Sequence, residues 1–207
     1  SKLYRPDVYG EILLTLLNKF PNRAIDWIGT SLGGLVGMAL ASVASSQISR
    51  LILNDIGPEL PGVALQRIAN YIEDPRFDSQ EQVTEYLKQR YLSYAGLNQA
   101  QWLRLSRYGC RAASHNKLAL HYDPAIAENA RESFRETIEL WSVWHRITQP
   151  VLLFHGLDSD LLTVDIVQRM KASHRDMEVV ALDGIDHAPS LMEETHIDAI
   201  TDWFSRH

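Results

Sequence analysis

The sequence is poor in cysteine, has no run of basic residues and has no long apolar stretch. A single cysteine, Cys110, cannot close an intrachain disulfide and offers no cysteine-rich metal spacing. Twenty lysines and arginines against 26 acidic residues leave a net charge of −6 and a pI near 5.7. The basic residues are neither clustered nor striped, which argues against nucleic acid or anionic membrane as a main partner. The longest apolar stretch, Leu32 to Ala41, is interrupted by Gly33, Gly34 and Gly37 and is too short to cross a bilayer. No internal repeat, low-complexity tract or Gly/Ser linker divides the 207 residues, a length that suits one domain, or one domain carrying a large insertion. An apolar content of 45% supplies a sizeable core.

Three segments have the form of short buried strands: Ala24 to Ser31, Ile48 to Asp55 and Pro150 to Gly156. A fourth, Met177 to Gly184, follows. Near-continuous apolar runs of this length, bounded by turn residues, suit parallel strands covered on both faces. Helical patterns separate them over Leu32 to Ala44, Val164 to Ser173 and Pro189 to Phe204, and a surface helix is expected over Asp7 to Lys19. The alternation predicts an α/β fold, a mostly parallel sheet with flanking helices. The middle of the chain, residues 59–146, carries most of the charge and shows no convincing buried strand. It is expected to be an inserted lid of about four amphipathic helices, with residues 1–58 and 147–207 as the core. Asp78 and Asn98 are plausible N-caps within it, and Leu118 to Pro124 could be one short extended piece.

Gly29-Thr30-Ser31-Leu32-Gly33 is G-x-S-x-G placed between a strand and a helix. A serine on so sharp a turn adopts strained dihedrals, and Gly29 and Gly33 are expected to lack side chains so that strand and helix can approach. The turn would lift the Ser31 hydroxyl above the sheet and aim the Leu32 N–H, at a helix N-terminus, toward a forming oxyanion. Neither Gly-Lys-Ser/Thr nor G-x-G-x-x-G is present, so the turn is not a phosphate-binding loop of either kind.

A serine hydroxyl needs a histidine to take its proton, and that histidine needs an acid to set its tautomer. The chain order for such an elbow is serine, acid, histidine. Gly184-Ile185-Asp186-His187-Ala188-Pro189 places His187 in the loop after the last strand, with Pro189 suited to the first turn of the closing helix. That loop should emerge on the same sheet edge as the elbow. His155 is better taken as a strand-end residue, and His115, His121 and His145 belong to the lid. The acid is expected in the loop Gly156 to Leu162, where Asp158 and Asp160 compete. Asp186, adjacent to His187, would point elsewhere.

Three pieces, Asp26 to Met38 (D-W-I-G-T-S-L-G-G-L-V-G-M), Gly156 to Leu162 (G-x-x-S-D-L-L) and Gly184 to Met192 (G-x-x-H-A-P-x-L-M), together resemble the capped, esterase-like branch of the α/β-hydrolase superfamily. In members with that loop form the aspartate after the serine looks like the triad acid, which favours Asp160. Some relatives take the acid from the end of an earlier strand, which keeps Asp55 as an outside candidate. The resemblance implies a serine hydrolase acting on a small carboxylic ester or related acyl substrate through Ser31, Asp160 and His187, with the Leu32 N–H steadying the oxyanion. It implies no metal and no organic cofactor. A small-molecule substrate is the expected partner, a homo-oligomer is left open, and the location expected is cytoplasmic. Carbon–carbon hydrolysis and perhydrolysis use a similar triad, and a catalytically silent binding protein could share the scaffold. Aspartate at the nucleophile position, as in haloalkane dehalogenases and epoxide hydrolases, is not what stands at Ser31.

The family usually builds strands ahead of the elbow strand, and here the elbow strand comes first. Roughly 70–90 further residues upstream, an estimate from a helix–strand repeat, are therefore expected in the intact protein, including the loop that supplies a second oxyanion donor. Trp102, Trp141, Trp144 and most tyrosines lie in the lid, mainly as packing, with Tyr86, Arg90, Tyr91 and Tyr94 forming a patch at helical spacing. Arg104, Arg107, Arg111, Arg131 and Arg135 are expected on solvated faces, with a substrate carboxylate as the alternative.

Overall fold

The computed structural model describes residues 6–126 and 136–207. The expected Arg131 and Arg135 positions fall outside these residues. Four parallel strands, β1 (Ile25–Thr30), β2 (Ile48–Asn54), β8 (Val151–Gly156) and β9 (Met177–Leu182), form the main sheet in the order β1-β2-β8-β9. Alternation along the central strands explains why both faces are covered. Leu51, Leu53, Val151 and Leu153 point into one apolar cluster, while Ile52, Leu152 and Phe154 point into another. Helices α1 (Pro6–Leu17), α2 (Leu32–Ala41) and α7 (Val164–Ser173) contribute Leu17, Val36, Met38, Ile166 and Met170 to the first cluster. On the opposite face, α8 (Glu194–Arg206) contributes Trp203 to the second. The sheet and its flanking helices are the α/β architecture expected from the strand pattern.

Close approach of α2 to the sheet depends on its small residues. A Cβ on Gly34 would lie 2.3 Å from Ile56 Cγ2, and one on Gly37 would lie 2.5 Å from the Trp27 indole. On β1, which pairs only with β2 among the described residues, Ile28 is 48% exposed. Arg50 on β2 clamps this edge by donating to Asp26 through Nε at 2.7 Å and stacking on the Phe204 ring of α8 at 4.5 Å.

Between β2 and β8 the chain forms α3 (Gly62–Tyr71), α4 (Gln80–Arg90), α5 (Gln99–Gly109) and the single turn α6 (Trp141–Trp144). The segment is not purely helical, contrary to the expectation for a lid. β3 (Glu59–Leu60) pairs antiparallel with β7 (Ile138–Glu139). β4 (Arg76–Phe77), β6 (Leu118–Leu120) and β5 (Cys110–Ala112) make a small antiparallel sheet in the order β4-β6-β5. Strands of two or three residues are too short to show an alternating pattern, so the sequence hides them. Phe77, Val83, Leu87, Leu97, Trp102 and Leu120 form a separate apolar cluster here, whereas Leu60, Leu65, Trp144 and Ile147 at the two ends of the segment pack into the main core.

Two caps were mixed in their legibility. Asn98 closes a capping box on α5 with Gln101, as its position predicts. On α4 the cap is Ser79, whose hydroxyl accepts the Gln82 N–H, and the Asp78 carboxylate pairs with Lys117 instead. The closing helix begins at Glu194, so Pro189 is a loop residue and not part of its first turn. No described helix is long and apolar enough to cross a membrane.

Candidate active site

Ser31 stands between the end of β1 and the start of α2 with φ 49° and ψ −117°, a left-handed backbone that a serine adopts only under constraint. The constraint is visible around it. The Ser31 N–H donates to the Asn54 carbonyl at 3.3 Å, and its own carbonyl accepts from Gly34 and Leu35 at 2.9 and 3.1 Å. A Cβ on Gly29 would sit 2.4 Å from the Gly33 carbonyl oxygen, so only glycine fits there. At Gly33, by contrast, nothing lies within 4 Å of an added Cβ. The expected steric need at Gly33 is not present; the tight positions are Gly29 and Gly34. Leu32, the first residue of α2, carries an N–H in the first helical turn, where no intrahelical acceptor exists.

His187 Nε2 lies 3.0 Å from Ser31 Oγ, and its Nδ1 lies 2.8 Å from Asp55 Oδ2. The imidazole is only 7% exposed and the carboxylate fully buried. With Asp55 accepting at Nδ1–H, Nε2 is left as the acceptor for the serine hydroxyl. Asp55 follows β2 directly and itself has φ 51°. Its Oδ1 accepts the Gly156 N–H at 2.9 Å and its Oδ2 the Ser159 hydroxyl at 2.6 Å. The loop bearing His187 is held against this strand end. Asn54 Nδ2 donates to Thr30 Oγ1 at 3.0 Å and to the Pro189 carbonyl at 2.9 Å. The end of β8 comes so close that a Cβ on Gly156 would meet the Ile185 carbonyl oxygen at 2.5 Å.

Of the residues expected from the sequence, the structure brings Ser31 and His187 within hydrogen-bond distance, and Leu32 follows Ser31 as the first residue of α2. Asp160 does not join them, and this corrects the assignment made from the loop motif. Arg67 on α3 grips both Asp160 oxygens, at 2.7 Å from Nε and 2.6 Å from Nη2, and the guanidinium holds its carboxyl below the usual carboxylate range. Asp55, the outside candidate, occupies the place behind the imidazole. Asp158 is exposed and Asp186 is also exposed, lining the cavity beside His187. His155 is buried at the strand end with Nε2 2.9 Å from the Leu162 carbonyl oxygen.

A cavity of about 650 Å³ opens from His187 and Asp186 into the segment between β2 and β8. Tyr71, Tyr86, Tyr91 and Tyr94 line it together with Arg67 and Arg90. Three of these, Tyr86, Tyr91 and Tyr94, belong with Arg90 to the patch expected from helical spacing. Tyr91 and Tyr94 stack with centroids 5.0 Å apart, and burial pushes the Tyr94 phenol up to about 12. Arg67 and Tyr71 carried no sequence signal: an Arg and a Tyr on an amphipathic helix look like any solvated face. The arginines singled out from the sequence are elsewhere. Arg104 and Arg107 flank the Tyr108 ring, and neither they nor Arg111 lines the cavity. Trp102 and Trp144 are buried packing, and Trp141 donates to Glu59 at 2.9 Å beneath the Arg169 guanidinium. Among the described residues no cluster of three or more His, Cys, Asp or Glu is arranged to hold a metal ion.

The comparisons with known proteins agree with this geometry. Residues 4–203 match the model of a family described as the alpha/beta hydrolase family. The chain is 32% identical over 206 residues to the 3-hydroxybutyrate-oligomer hydrolase of Cupriavidus necator, covering 95% of this chain and 70% of the relative. A crystal structure from Rickettsia typhi, assigned to the hydrolases, superposes with a TM-score of 0.91 at 31% identity, over 100% of this chain and 71% of that one. An alpha/beta hydrolase from Novosphingobium aromaticivorans superposes at 0.85 with 30% identity, over 100% and 74%. By the extent of the family match, the relative's identity and the shared architecture, this chain belongs to the alpha/beta hydrolase family and is, in broad class, a hydrolase.

Proposed function

We propose that the protein hydrolyses carboxylic esters or closely related acyl compounds through an acyl-enzyme on Ser31, with His187 as base and Asp55 as the acid that orients it. The observation that carries this reading is the unbroken hydrogen-bonded series from Ser31 Oγ through His187 to Asp55, at 3.0 and 2.8 Å. Ser31 Oγ attacks the carbonyl carbon as its proton passes to His187 Nε2. The Nδ1–H bond to buried Asp55 stabilises the imidazolium that forms, and the Leu32 N–H donates to the developing oxyanion. Collapse of the tetrahedral intermediate breaks the ester C–O bond, and the leaving alkoxide takes the proton from Nε2. Water, deprotonated by the same nitrogen, then attacks the acyl-enzyme and returns Ser31.

Residues 59–146 act as the cap over a core of residues 1–58 and 147–207, and the tyrosine-lined cavity between them receives one part of a small-molecule substrate. The Cupriavidus relative is named for 3-hydroxybutyrate oligomers, so short esters of a hydroxy acid are the first compounds to try.

The test is labelling by a fluorophosphonate probe, with Ser31→Ala as control, alongside turnover of p-nitrophenyl esters and 3-hydroxybutyrate dimers. Labelling that needs Ser31, together with ester turnover, supports the reading. Labelling without any ester turnover shifts the chemistry to carbon–carbon hydrolysis or perhydrolysis. Failure to label a protein that circular dichroism shows to be folded overturns it.

A further inference from the structure

The loop between β8 and α7 does not present a carboxylate to His187; it presents a hydroxyl to Asp55. Ser159 Oγ accepts the Leu162 N–H at 3.1 Å, which leaves its own hydrogen directed at Asp55 Oδ2, 2.6 Å away. Ser159 is 7% exposed and Asp55 fully buried, so solvent is kept from replacing this bond. Among the described residues no lysine or arginine pairs with Asp55; its charge rests on the Gly156 N–H, the Ser159 hydroxyl and the His187 ring. A buried carboxylate without a cationic partner depends on such donors.

We propose that Ser159 is a positioning residue for the acyl-transfer reaction, acting through Asp55. Rotation of the carboxylate about Cβ–Cγ is set by two donors, Gly156 at the end of β8 on Oδ1 and Ser159 in the loop after it on Oδ2. Those anchors turn the second lone pair of Oδ2 toward His187 Nδ1. Removing the hydroxyl leaves the backbone donor alone to hold the plane, and the imidazole loses its fixed direction. The inference rests on the triad reading above, and it assigns to the loop after β8 a supporting role in place of the acid its sequence suggests.

The experiment is a double-mutant cycle on the whole protein, with Ser159→Ala, Ser159→Thr, Asp55→Asn and Asp55→Asn/Ser159→Ala. Steady-state hydrolysis of p-nitrophenyl butyrate and the second-order rate of fluorophosphonate labelling are both measured. Ser159→Ala is expected to lower kcat roughly 10- to 100-fold, the size of one hydrogen bond to a buried charge, with KM changed less than about twofold because the residue touches no substrate. Ser159→Thr, which keeps the hydroxyl, restores most of the rate. In the Asp55→Asn background the alanine substitution costs less than about threefold, since the group it acts through is already altered. Should the alanine variant fail to fold, Ser159→Cys gives the same comparison with nearly the same volume and a poor donor. Full additivity with Asp55→Asn, or an unchanged kcat in a folded Ser159→Ala protein, overturns the positioning role alone. Unchanged activity in Ser31→Ala and Asp55→Asn would instead overturn the triad reading on which it rests.

Discussion

Replacing two aspartates by asparagine, one at a time, separates the carboxylate that meets the imidazole from the one that the loop motif suggests. At Asp55 an amide has no good orientation. With Nδ2 in the place of Oδ2 it confronts the His187 Nδ1–H and the Ser159 hydroxyl; turned over, it confronts the Gly156 N–H. Relief comes when the imidazole moves its proton to Nε2, the atom 3.0 Å from Ser31 Oγ, and there it can no longer accept the serine proton. The analogous change in serine proteases costs about 10⁴ in kcat, and Asp55→Asn is expected to cost roughly 10³- to 10⁴-fold, with KM little altered. Asp160 is about half exposed, and its bond is a bidentate ion pair with a half-exposed Arg67. Such a pair is worth about 0–1 kcal/mol, so Asp160→Asn should lower thermal stability slightly and leave kcat within about threefold. Hydrolysis of p-nitrophenyl butyrate and the thermal midpoint, measured on both variants, decide the matter. A loss above about 100-fold in Asp160→Asn beside near-normal Asp55→Asn would refute the pairing of Asp55 with the working imidazole.

Four further outcomes follow from the packing and from shifted titrations. Gly33→Ala should fold and gain about 0.4–1 kcal/mol by restricting the unfolded chain, whereas Gly29→Ala, with its Cβ 2.4 Å from the Gly33 carbonyl oxygen, should lose expression or activity; urea titration and labelling of both proteins compare them. Asn54→Ala removes a part-buried hydrogen bond to Thr30 on the elbow strand and a buried one to the Pro189 carbonyl, and a cost of about 1–3 kcal/mol with a lowered kcat is expected from denaturant melts and kinetics. Burial depresses the His196 imidazole below its ordinary 6.5, so its neutral form supports the fold above that pH and the contribution is lost as pH falls through the depressed value. Urea midpoints should therefore drop between pH 7 and 5 by more in wild type than in His196→Gln. Tyr94 has the opposite sign: raised to about 12 chiefly by burial, it supports the fold below its ordinary 10 and loses that support as pH rises through 12. An ultraviolet phenolate titration should lose its latest-titrating component in Tyr94→Phe, while the other buried tyrosines, Tyr71 and Tyr91 among them, still titrate above the ordinary value.

Much of the architecture could be seen in local pattern alone. Apolar runs bounded by turns marked β1, β2, β8 and β9 to within one or two residues, because β8 and most of β2 are covered on both faces and β1 and β9 keep enough apolar residues to stand out between turns. The elbow was visible because a strained serine between strand and helix needs glycine two positions before it. His187 followed from its place after the last strand. The inserted segment was less visible. Its strands of two and three residues leave no periodicity, and its helix at residues 80–90 is capped by Ser79 and not by the expected Asp78. Arg67 lay among residues that sequence cannot distinguish from a solvated face.

The proposed nucleophile and base, Ser31 and His187, were legible in the sequence, because each stands out by its immediate neighbours along the chain. The carboxylate that meets the imidazole, Asp55, was not, because it depends on strand order. In the sheet, β2 runs between β1 and β8, in register at Asn54 with Thr30 on one side and Phe154 on the other. The residue after β2 therefore emerges between the serine and the loop that carries Ser159, within reach of His187. Asp160 lies farther along that loop, where Arg67 from another helix claims it. No local pattern records which of two aspartates, 105 positions apart by numbering (160 − 55), folding will bring to one imidazole. That was decided by how parallel strands are ordered and registered.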